Sequence, residues 1–573
     1  MKKILSYLKP FKKRMCIGFS IKVTGTLVEL LLPYILTHIL KNVVSSEKLS
    51  NILLWGCLMI FFAALACLCN IIANRMAARV SRNFSERIRR DLFSKTLSLS
   101  ASQSDAFTIP SLESRITTDT YHVHNFISMM QRMGVRAPIL LIGGVAITLI
   151  MDARLALVMI ALLPVIFVTV FFISKKGIPL YGKVQSATDG MIRVVREDSQ
   201  GIRVIKALSK NEYENRRFDK VNSELVKSEM RAGLVTSAVN PIMTFLMNGG
   251  IAGVTLLSAF LVSDGVSDPE TVIAFMQYFT LISMAMMTVS RIFVMYTKCS
   301  ASAKRIAEVL SAPVDLKTEN LAESEYCDDE FIRFDNVSFS YNGKHNHVEN
   351  IDFSLKKGQK LGIIGSTGSG KSTLLRLLFR FYDVSCGSVR IGGKDVRSYS
   401  EKELTDKFGV VLQNDFLYAD TIEENIRFGR ELSHDDIVNA AKIAQADDFI
   451  SAFPDGYAHC LAQKGTNVSG GQKQRILIAR AVANSPEILI LDDSSSALDY
   501  KTDANLRRAL ADNLGNTTVI TVAQRVSSVM TCDLILVLEN GRIIGRGKHS
   551  ELIESCSVYK EISDSQMGGA FVE

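Results

Sequence analysis

Apolar positions follow two regimes along the 573 residues: long unbroken stretches up to Tyr296, then short runs broken by charged and small residues from Phe331 onward. Six stretches, Met15–Leu40, Ile52–Ala73, Val135–Ile150, Leu155–Ile173, Val239–Val262 and Val272–Tyr296, fall in the first regime. Each is near the roughly 20 apolar residues with which an α-helix crosses a bilayer. An even number of crossings returns the chain to its starting side. The connections alternate in length. Short turns at Ser45–Ser50, Asp152–Arg154 and Ser263–Glu270 carry few basic residues, whereas Arg75–Arg136 and Lys175–Arg231 are long, helix-compatible and rich in Arg and Lys. Cytoplasmic loops carry the excess of Lys and Arg, so this pattern predicts both termini and both long connections in the cytoplasm. The long connections read as helices extended below the membrane, with tips near Ser111–Arg115 and Gly201–Leu208 placed to touch a soluble domain.

The basic start of the chain carries Ile4, Leu5, Leu8 and Phe11 near helical spacing among lysines, as in a short helix lying on the membrane surface. The apolar stretch that follows is too long for a cleavable signal and has no small-residue cleavage site. Past Leu310 the pattern breaks at Pro313 and an acidic stretch runs through Asp328, Asp329 and Glu330. Short β-rich runs then alternate with helical ones, the mark of an α/β domain. The expected organisation is an all-α, six-helix transmembrane domain over 1–312, a linker over 313–330 and an α/β P-loop ATPase domain over 331–573.

Composition narrows this reading. Hydrophobic residues make up 47% of the chain and the mean hydropathy is +0.18, an excess concentrated in the first half. The net charge of +8 lies largely beside the apolar segments, so it reads as membrane orientation and not as a nucleic-acid surface. Ten cysteines are scattered from Cys16 through Cys67, Cys69 and Cys386 to Cys556 without metal-ligand spacing, and read as packing thiols.

The chemistry is concentrated in the second half. Gly365, Ser366, Thr367, Gly368, Ser369, Gly370, Lys371, Ser372 and Thr373 follow the strand-like Leu361–Ile364 and precede the helix-like Leu374–Tyr382. In that context glycine amides cradle phosphates, Lys371 reaches the β and γ phosphates and Ser372 contacts Mg2+. A second strand, Ile488–Leu491, ends in Asp492 and Asp493, where the first carboxylate can hold the metal. Between the two lies Val468-Ser469-Gly470-Gly471-Gln472, which leads into a basic helix and can offer amides to an anion.

The series of phosphate loop, Gln413, VSGGQ, aspartate strand and Ser496-Ala497-Leu498-Asp499, preceded by six spans, resembles an exporter-type ABC half-transporter over nearly the whole chain. The resemblance implies ATP and Mg2+ as cofactors and a second half-transporter as partner, with each ATP held between the phosphate loop of one half and the SGGQ of the other. It implies that Tyr341 stacks on adenine, that Gln413 senses Mg2+ and the γ phosphate, and that Ser469–Gln472 cap ATP bound to the partner. Asp499 would lie in the loop joining the two sites. It further implies a multi-pass protein of the inner (plasma) membrane with its nucleotide domain in the cytoplasm.

Two departures from the family pattern stand out. Asp493 occupies the position of the usual glutamate that polarises the attacking water, and Gln524, in Thr521-Val522-Ala523-Gln524-Arg525, occupies that of the usual histidine. Losing a methylene withdraws the carboxylate by roughly 1.5 Å, and glutamine cannot become cationic. The chain thus resembles the degenerate-site subunit of bacterial heterodimeric multidrug exporters: its own site binds ATP and hydrolyses it poorly, while the partner supplies the glutamate and histidine. The cap is near consensus, with Val468 where leucine is usual. A slow homodimer is the competing arrangement. Drugs, lipids or other amphipathic molecules are the substrate class the resemblance implies. The same fold also serves import of metal–chelator complexes, and an ATP-gated channel or regulatory membrane protein is a third class.

Lys22, Glu29 and His38 in the first span are costly in lipid and are expected to face a cavity, a partner or an interface. Lys22 and Glu29 are spaced to share a helix face, which fits charge compensation and substrate binding equally. Met243, Met247, Met276, Met284, Met286, Met287 and Met295 suit either an adaptable pocket or ordinary helix packing. Asn240, Asn248 and Gln277 add polar contacts to either.

Overall fold

The computed structural model describes residues 1–44, 48–263, 269–321, 330–413, 415–494 and 498–567. The chain separates into two compact units, Met1–Ser98 with Phe107–Ala312, and Leu99–Ala106 with Pro313–Glu573. A short piece of the first long connection therefore groups with the C-terminal unit. Residues 45–47 and 264–268 of the expected turns, the acidic pair Asp328 and Asp329, Ser496, Ala497 and the side chain of Asn240 lie outside the described residues.

Among the described residues, six helical segments of the first unit are long and apolar enough to cross a membrane. The spanning helices are Lys12–His38, Leu49–Leu97, Thr120–Met151, Ala153–Ala207, Val239–Ser263 and Pro269–Leu310. They outrun the apolar stretches because the polar flanks continue the same hydrogen-bond ladder; the second has 49 residues and the fourth 55. The turn between the third and fourth is set by Asp152, whose Oδ1 accepts from the backbone N–H groups of Arg154 at 2.9 Å and Leu155 at 3.3 Å.

Lipid offers no hydrophobic drive between helices, so close packing and internal hydrogen bonds hold them. The buried Tyr278 of the sixth helix donates its hydroxyl to the Leu30 carbonyl of the first at 2.6 Å, within a cluster that includes Leu140, Met159, Phe279 and Ile282. Nearer the chain reversal, the fully buried Asp119 carboxylate accepts from Ser302 Oγ at 2.8 Å and Arg305 Nε at 2.7 Å, and is also bonded by Arg305 Nη2.

The first reversal lies ahead of its expected place, whereas the second falls at the C-terminal end of the expected stretch. The first connection turns ahead of the short helix Ala101–Phe107, and the chain is helical again over Ile109–Ser114. Arg115 packs inside the first unit, with Nη1 donating to the Arg305 carbonyl at 2.7 Å. In the second connection the helix continues through Gly201 to Ala207 and the chain reverses at Ser209, where φ is +51°.

The C-terminal unit contains two sheets. Strands β1 (Ile332–Phe339), β2 (Val348–Leu355), β4 (Cys386–Ile391) and β5 (Lys394–Asp395) form an antiparallel sheet in the order β2-β1-β4-β5. Strands β3 (Lys360–Gly365), β6 (Phe408–Val411), β7 (Ile488–Asp492), β8 (Thr518–Val522), β9 (Leu534–Glu539) and β10 (Arg542–Gly547) form the other, in the order β10-β9-β3-β8-β7-β6. All its pairs are parallel except β9–β10. Its central strands are buried, as in β7 at all five residues from Ile488 to Asp492. This is why the sequence there is continuously aliphatic up to the carboxylate. Ligands of such sheets bind beyond the carboxyl ends of the strands, which is where β3 delivers Gly365 and β7 delivers Asp492.

Candidate functional site: a nucleotide cavity

The loop from Gly365 to Gly370 joins β3 to a helix that begins at Lys371 and ends at Leu378. Glycine is required at both ends of it. A Cβ on Gly365 would lie 2.2 Å from the Leu538 carbonyl of β9, and Gly370 caps the helix at φ +102°, a left-handed conformation. Lys371 curls back, its Nζ donating to the carbonyls of Gly365 and Ser366, each at 2.7 Å. Burial pushes its ammonium below the usual lysine range, against the pull of Asp492 and Asp493. The Ser369 hydroxyl is buried with no hydrogen-bond partner among the described residues.

From this loop Thr367, Gly368, Gly370 and Lys371 line a cavity of about 600 Å³, which also takes in Ser372, Thr373, Gln413, Asp492, Asp493 and Gln524; Gly365, Ser366 and Ser369 are not among its lining residues. Residues distant in sequence thus meet at one end of the sheet. Burial pushes the Asp492 carboxyl above the usual range, and the Asp493 charge pushes it the same way. The Lys371 charge and, after it, a backbone hydrogen bond from Gln413 oppose both. Asp493 is half-buried with φ +51°, its N–H bonded to the Val522 carbonyl at 2.8 Å, and Gln524 Nε2 stands 3.5 Å from its Oδ2.

Tyr341 is not among the cavity-lining residues but adjoins it. Its ring meets His347, a lining residue, edge-on at 4.9 Å, and its hydroxyl lies 3.4 Å from Thr373 Oγ1. His345, His347, Asn540 and Gly541 line the cavity and were not expected from the sequence. Gly541 N–H bonds the Ser369 carbonyl at 3.1 Å, so the β9–β10 turn braces the phosphate loop. Asn540-Gly541 between two apolar runs is a strong local hairpin signal, whereas nothing in the sequence pattern places the two histidines.

Ser469, Gly470, Gly471 and Gln472 lie outside this cavity. Ser469 caps the helix Gly470–Val482 in a reciprocal box: Gln472 N–H donates to Ser469 Oγ at 3.3 Å and Ser469 N–H to Gln472 Oε1 at 2.9 Å. Ser469 and Gly470 are exposed, leaving the helix N-terminus open to an anion from outside. Asp499 caps the helix Tyr500–Asn513 by accepting from Thr502 N–H at 3.1 Å; the Thr502 hydroxyl and then this N–H hold its carboxyl below the usual range.

Residues 15–286 match the family model of the ABC transporter transmembrane region, and residues 348–496 match the one described as ABC transporter. An uncharacterized ABC transporter ATP-binding protein of Bacillus subtilis, YfiB, is 35% identical over 570 residues, covering 99% of each chain. The chain belongs to the ABC transporter family. A putative ABC transporter ATP-binding protein of Streptococcus pneumoniae, exp8, is 31% identical across 99% of this chain and 97% of that one. The fold is also that of a bacterial Atm1-family ABC exporter solved with ATP bound, at TM-score 0.81, 23% identity and coverage of 97% and 98%. This ABC transporter is accordingly a multi-pass membrane protein and a transport ATPase that binds nucleotide in the cavity's domain.

In the membrane domain, the polar residues of the first helix find separate partners. Lys22 is buried and donates to Asn70 Oδ1 at 2.7 Å and Asn74 Oδ1 at 3.2 Å. Glu29 pairs with Arg136, whose Nε lies 3.2 Å from Oε2. His38 packs on Trp55 with ring centroids 4.5 Å apart and bonds Asn42. The methionines divide as well. Met243 and Met286 are buried against Ile166, whereas Met276 lines a cavity of about 490 Å³ with Glu29, Pro33, Gln277 and Thr280.

Proposed function

We propose that this chain is the degenerate-site half of a heterodimeric ABC exporter in the cytoplasmic (inner) membrane. Its nucleotide domain and both termini face the cytoplasm, and it moves amphipathic molecules such as drugs or lipids out of the cell. The observation that carries this is the pairing of Asp493 with Gln524 at the metal end of the cavity. A carboxylate one methylene short, on a left-handed backbone, faces an amide that cannot ionise.

On this reading ATP lies along the phosphate loop, with Lys371 on its β and γ phosphates and adenine against Tyr341. Ser372 and Asp492 would hold Mg2+, and Gln413 would sense it. The buried Asp492 carboxylate suits a divalent cation, which would offset the loss of solvation that raises its pKa. When bound, the metal neutralises phosphate charge. The Ser469–Gln472 cap lies outside this chain's own cavity and would close over ATP held by the partner, with Asp499 beside the junction. The partner then supplies glutamate and histidine to the competent site, whose hydrolysis resets the closed pair. In the membrane domain, the cavity around Glu29, Met276 and Gln277 combines apolar walls with a few polar groups, which suits an amphipathic substrate.

The test is the composition of the complex extracted from its own membrane through a tag on this chain, alongside Mg-ATP turnover by the chain produced alone. One copy each of this chain and a different half-transporter, with negligible turnover alone, is the expected result. A homodimer with full turnover overturns the heterodimer and the degenerate site together.

A further inference from the structure

The main chain of Gln524 leaves the sheet just past β8 and is taken up by a residue 42 positions further along the chain. Gln566 Nε2 donates to the Gln524 carbonyl at 2.8 Å, and Gln566 Oε1 accepts from the Val526 N–H, also at 2.8 Å. A side-chain amide carries donor and acceptor on one planar group, so the two bonds fix the backbone on either side of Arg525. The residues just before Gln524 are engaged in the sheet itself. Ala523 N–H bonds the Ile363 carbonyl at 3.1 Å, and the Val522 carbonyl accepts from Asp493 N–H at 2.8 Å.

Gln566 belongs to the helix Ser557–Met567, on which Tyr559, Ile562 and Gln566 are spaced three and then four residues apart and so share one face. The fully buried Tyr559 and the partly buried Ile562 pack in a cluster with Ile364, near the end of β3, and Ala523, the neighbour of Gln524. The Tyr559 hydroxyl lies 2.8 Å from His549 Nδ1. The apolar part of this face docks the helix, and Gln566 is its polar end. Another hold on the segment after β8, from Arg507 Nη1, ends on the Ser527 carbonyl and not on Gln524. The side chain of Gln524 faces the cavity, with Nε2 3.5 Å from Asp493 Oδ2. N–H···O bonds span roughly 2.7–3.2 Å, so a main-chain shift of about 1 Å carries that amide out of reach of a ligand oxygen.

We propose that Gln566 is a positioning residue for the γ-phosphate end of the site. By holding the main chain of Gln524 it keeps the Gln524 amide within reach of the terminal phosphate, and the helix Ser557–Met567 thereby sets this chain's preference for ATP over ADP. This rests on the reading of the cavity as an ATP site with its γ phosphate beside Asp493 and Gln524.

Binding of Mg-ATP and of Mg-ADP to the full chain in nanodiscs, each measured by displacement of a fluorescent ATP analogue, tests it. Gln524→Ala is expected to weaken ATP roughly tenfold, the scale of one hydrogen bond to a charged group, with ADP affinity unchanged. Gln566→Met keeps the length of the side chain and removes both bonds, and is expected to weaken ATP by about three- to tenfold, again without effect on ADP. Gln566→Glu keeps an acceptor for Val526 N–H but has no donor for the Gln524 carbonyl, and is expected to fall in between. Added to Gln524→Ala, Gln566→Met is expected to cause no further loss, because it acts through that amide. Unchanged ATP affinity in Gln524→Ala or in Gln566→Met overturns the proposal. So does an equal loss for ATP and ADP in Gln566→Met, or a further loss on top of Gln524→Ala, since either marks general support of the domain. Failure of the unaltered chain to bind Mg-ATP would instead sink the nucleotide reading on which it stands.

Discussion

The side-chain amide of Gln524 stands 3.5 Å from the Asp493 carboxylate, and both face the cavity that receives the phosphate loop. Lengthening that carboxylate is the direct test of whether reach limits hydrolysis. Asp493→Glu adds a methylene, and with Gln524→His it restores both groups the family pattern expects. A positioned base contributes on the order of 10²- to 10⁴-fold, so the double variant is expected to raise single-site Mg-ATP turnover at least roughly tenfold with ATP affinity unchanged. Phosphate release by the chain in a complex whose other site is inactivated reads this out. An unchanged rate would mean that the distance from Asp493 is not what limits the site.

The exposed cap makes a second, separable prediction. Ser469 and Gln472 satisfy each other, which uses the Gln472 amide and leaves those of Gly470 and Gly471 for an anion. Gly470→Asp places a carboxylate where an anion is expected, outside the cavity that this chain's own Lys371 lines. Nucleotide binding by the isolated chain, measured with a fluorescent ATP analogue, is expected to stay within about twofold, while turnover by the assembled transporter falls by roughly 10²-fold or more, the scale of one lost stabilising donor. Loss of binding in the isolated chain would place the cap on the chain's own nucleotide.

How far the sequence reaches is visible in which parts of this site it located. The phosphate loop, Asp492 and Asp493 lie at the ends of short aliphatic strands, so a local pattern places each of them just beyond the carboxyl end of a strand. Their meeting with Gln413 and Gln524 depends on the strand order β3-β8-β7-β6, which no local pattern encodes. His345 and His347 enter the cavity from the separate antiparallel sheet's connection, and only the fold brings them there. The first loop tip differs, because its signal was present. Ser100 Oγ accepts from Gln103 N–H at 3.1 Å, a Ser-x-x-Gln start to the helix Ala101–Phe107 that the polarity of the surrounding loop obscured.

Cys532 gives a prediction that depends on pH. Burial raises its thiol from the ordinary 9.0 to about 12, whereas Cys386 and Cys460 are exposed. The thiolate is the species that alkylates, so at pH 8 iodoacetamide is expected to modify Cys386 and Cys460 in the native protein and Cys532 only after denaturation. Peptide mapping by mass spectrometry distinguishes them. The linkage has a definite sign: the folded state favours the neutral thiol. Its contribution to stability is complete below pH 9.0 and is lost as pH rises toward about 12. Native labelling of Cys532 at pH 8 would show that its pocket opens without unfolding.

Asp119 ties the base of the third spanning segment to the sixth helix. Its carboxylate is fully buried and bonded by Ser302 and by two nitrogens of Arg305, while the Arg305 side chain is 47% exposed. Removing one member of a fully buried pair costs about 3–5 kcal/mol. Water reaching Arg305 reduces that, so Asp119→Asn is expected to destabilise by about 2–3 kcal/mol, since the charge is lost while an acceptor for Ser302 remains. Asp119→Ala removes the acceptor too and is expected to cost more. The thermal midpoint of the detergent-solubilised protein, followed by cysteine-reactive dye or aggregation, orders the three. Because Asp119 lies outside the cavity that holds Lys371, ATP affinity measured below the midpoint is expected to be unchanged in both variants. A fall in affinity without a fall in midpoint would give Asp119 a part in nucleotide response and not in holding the two helices together.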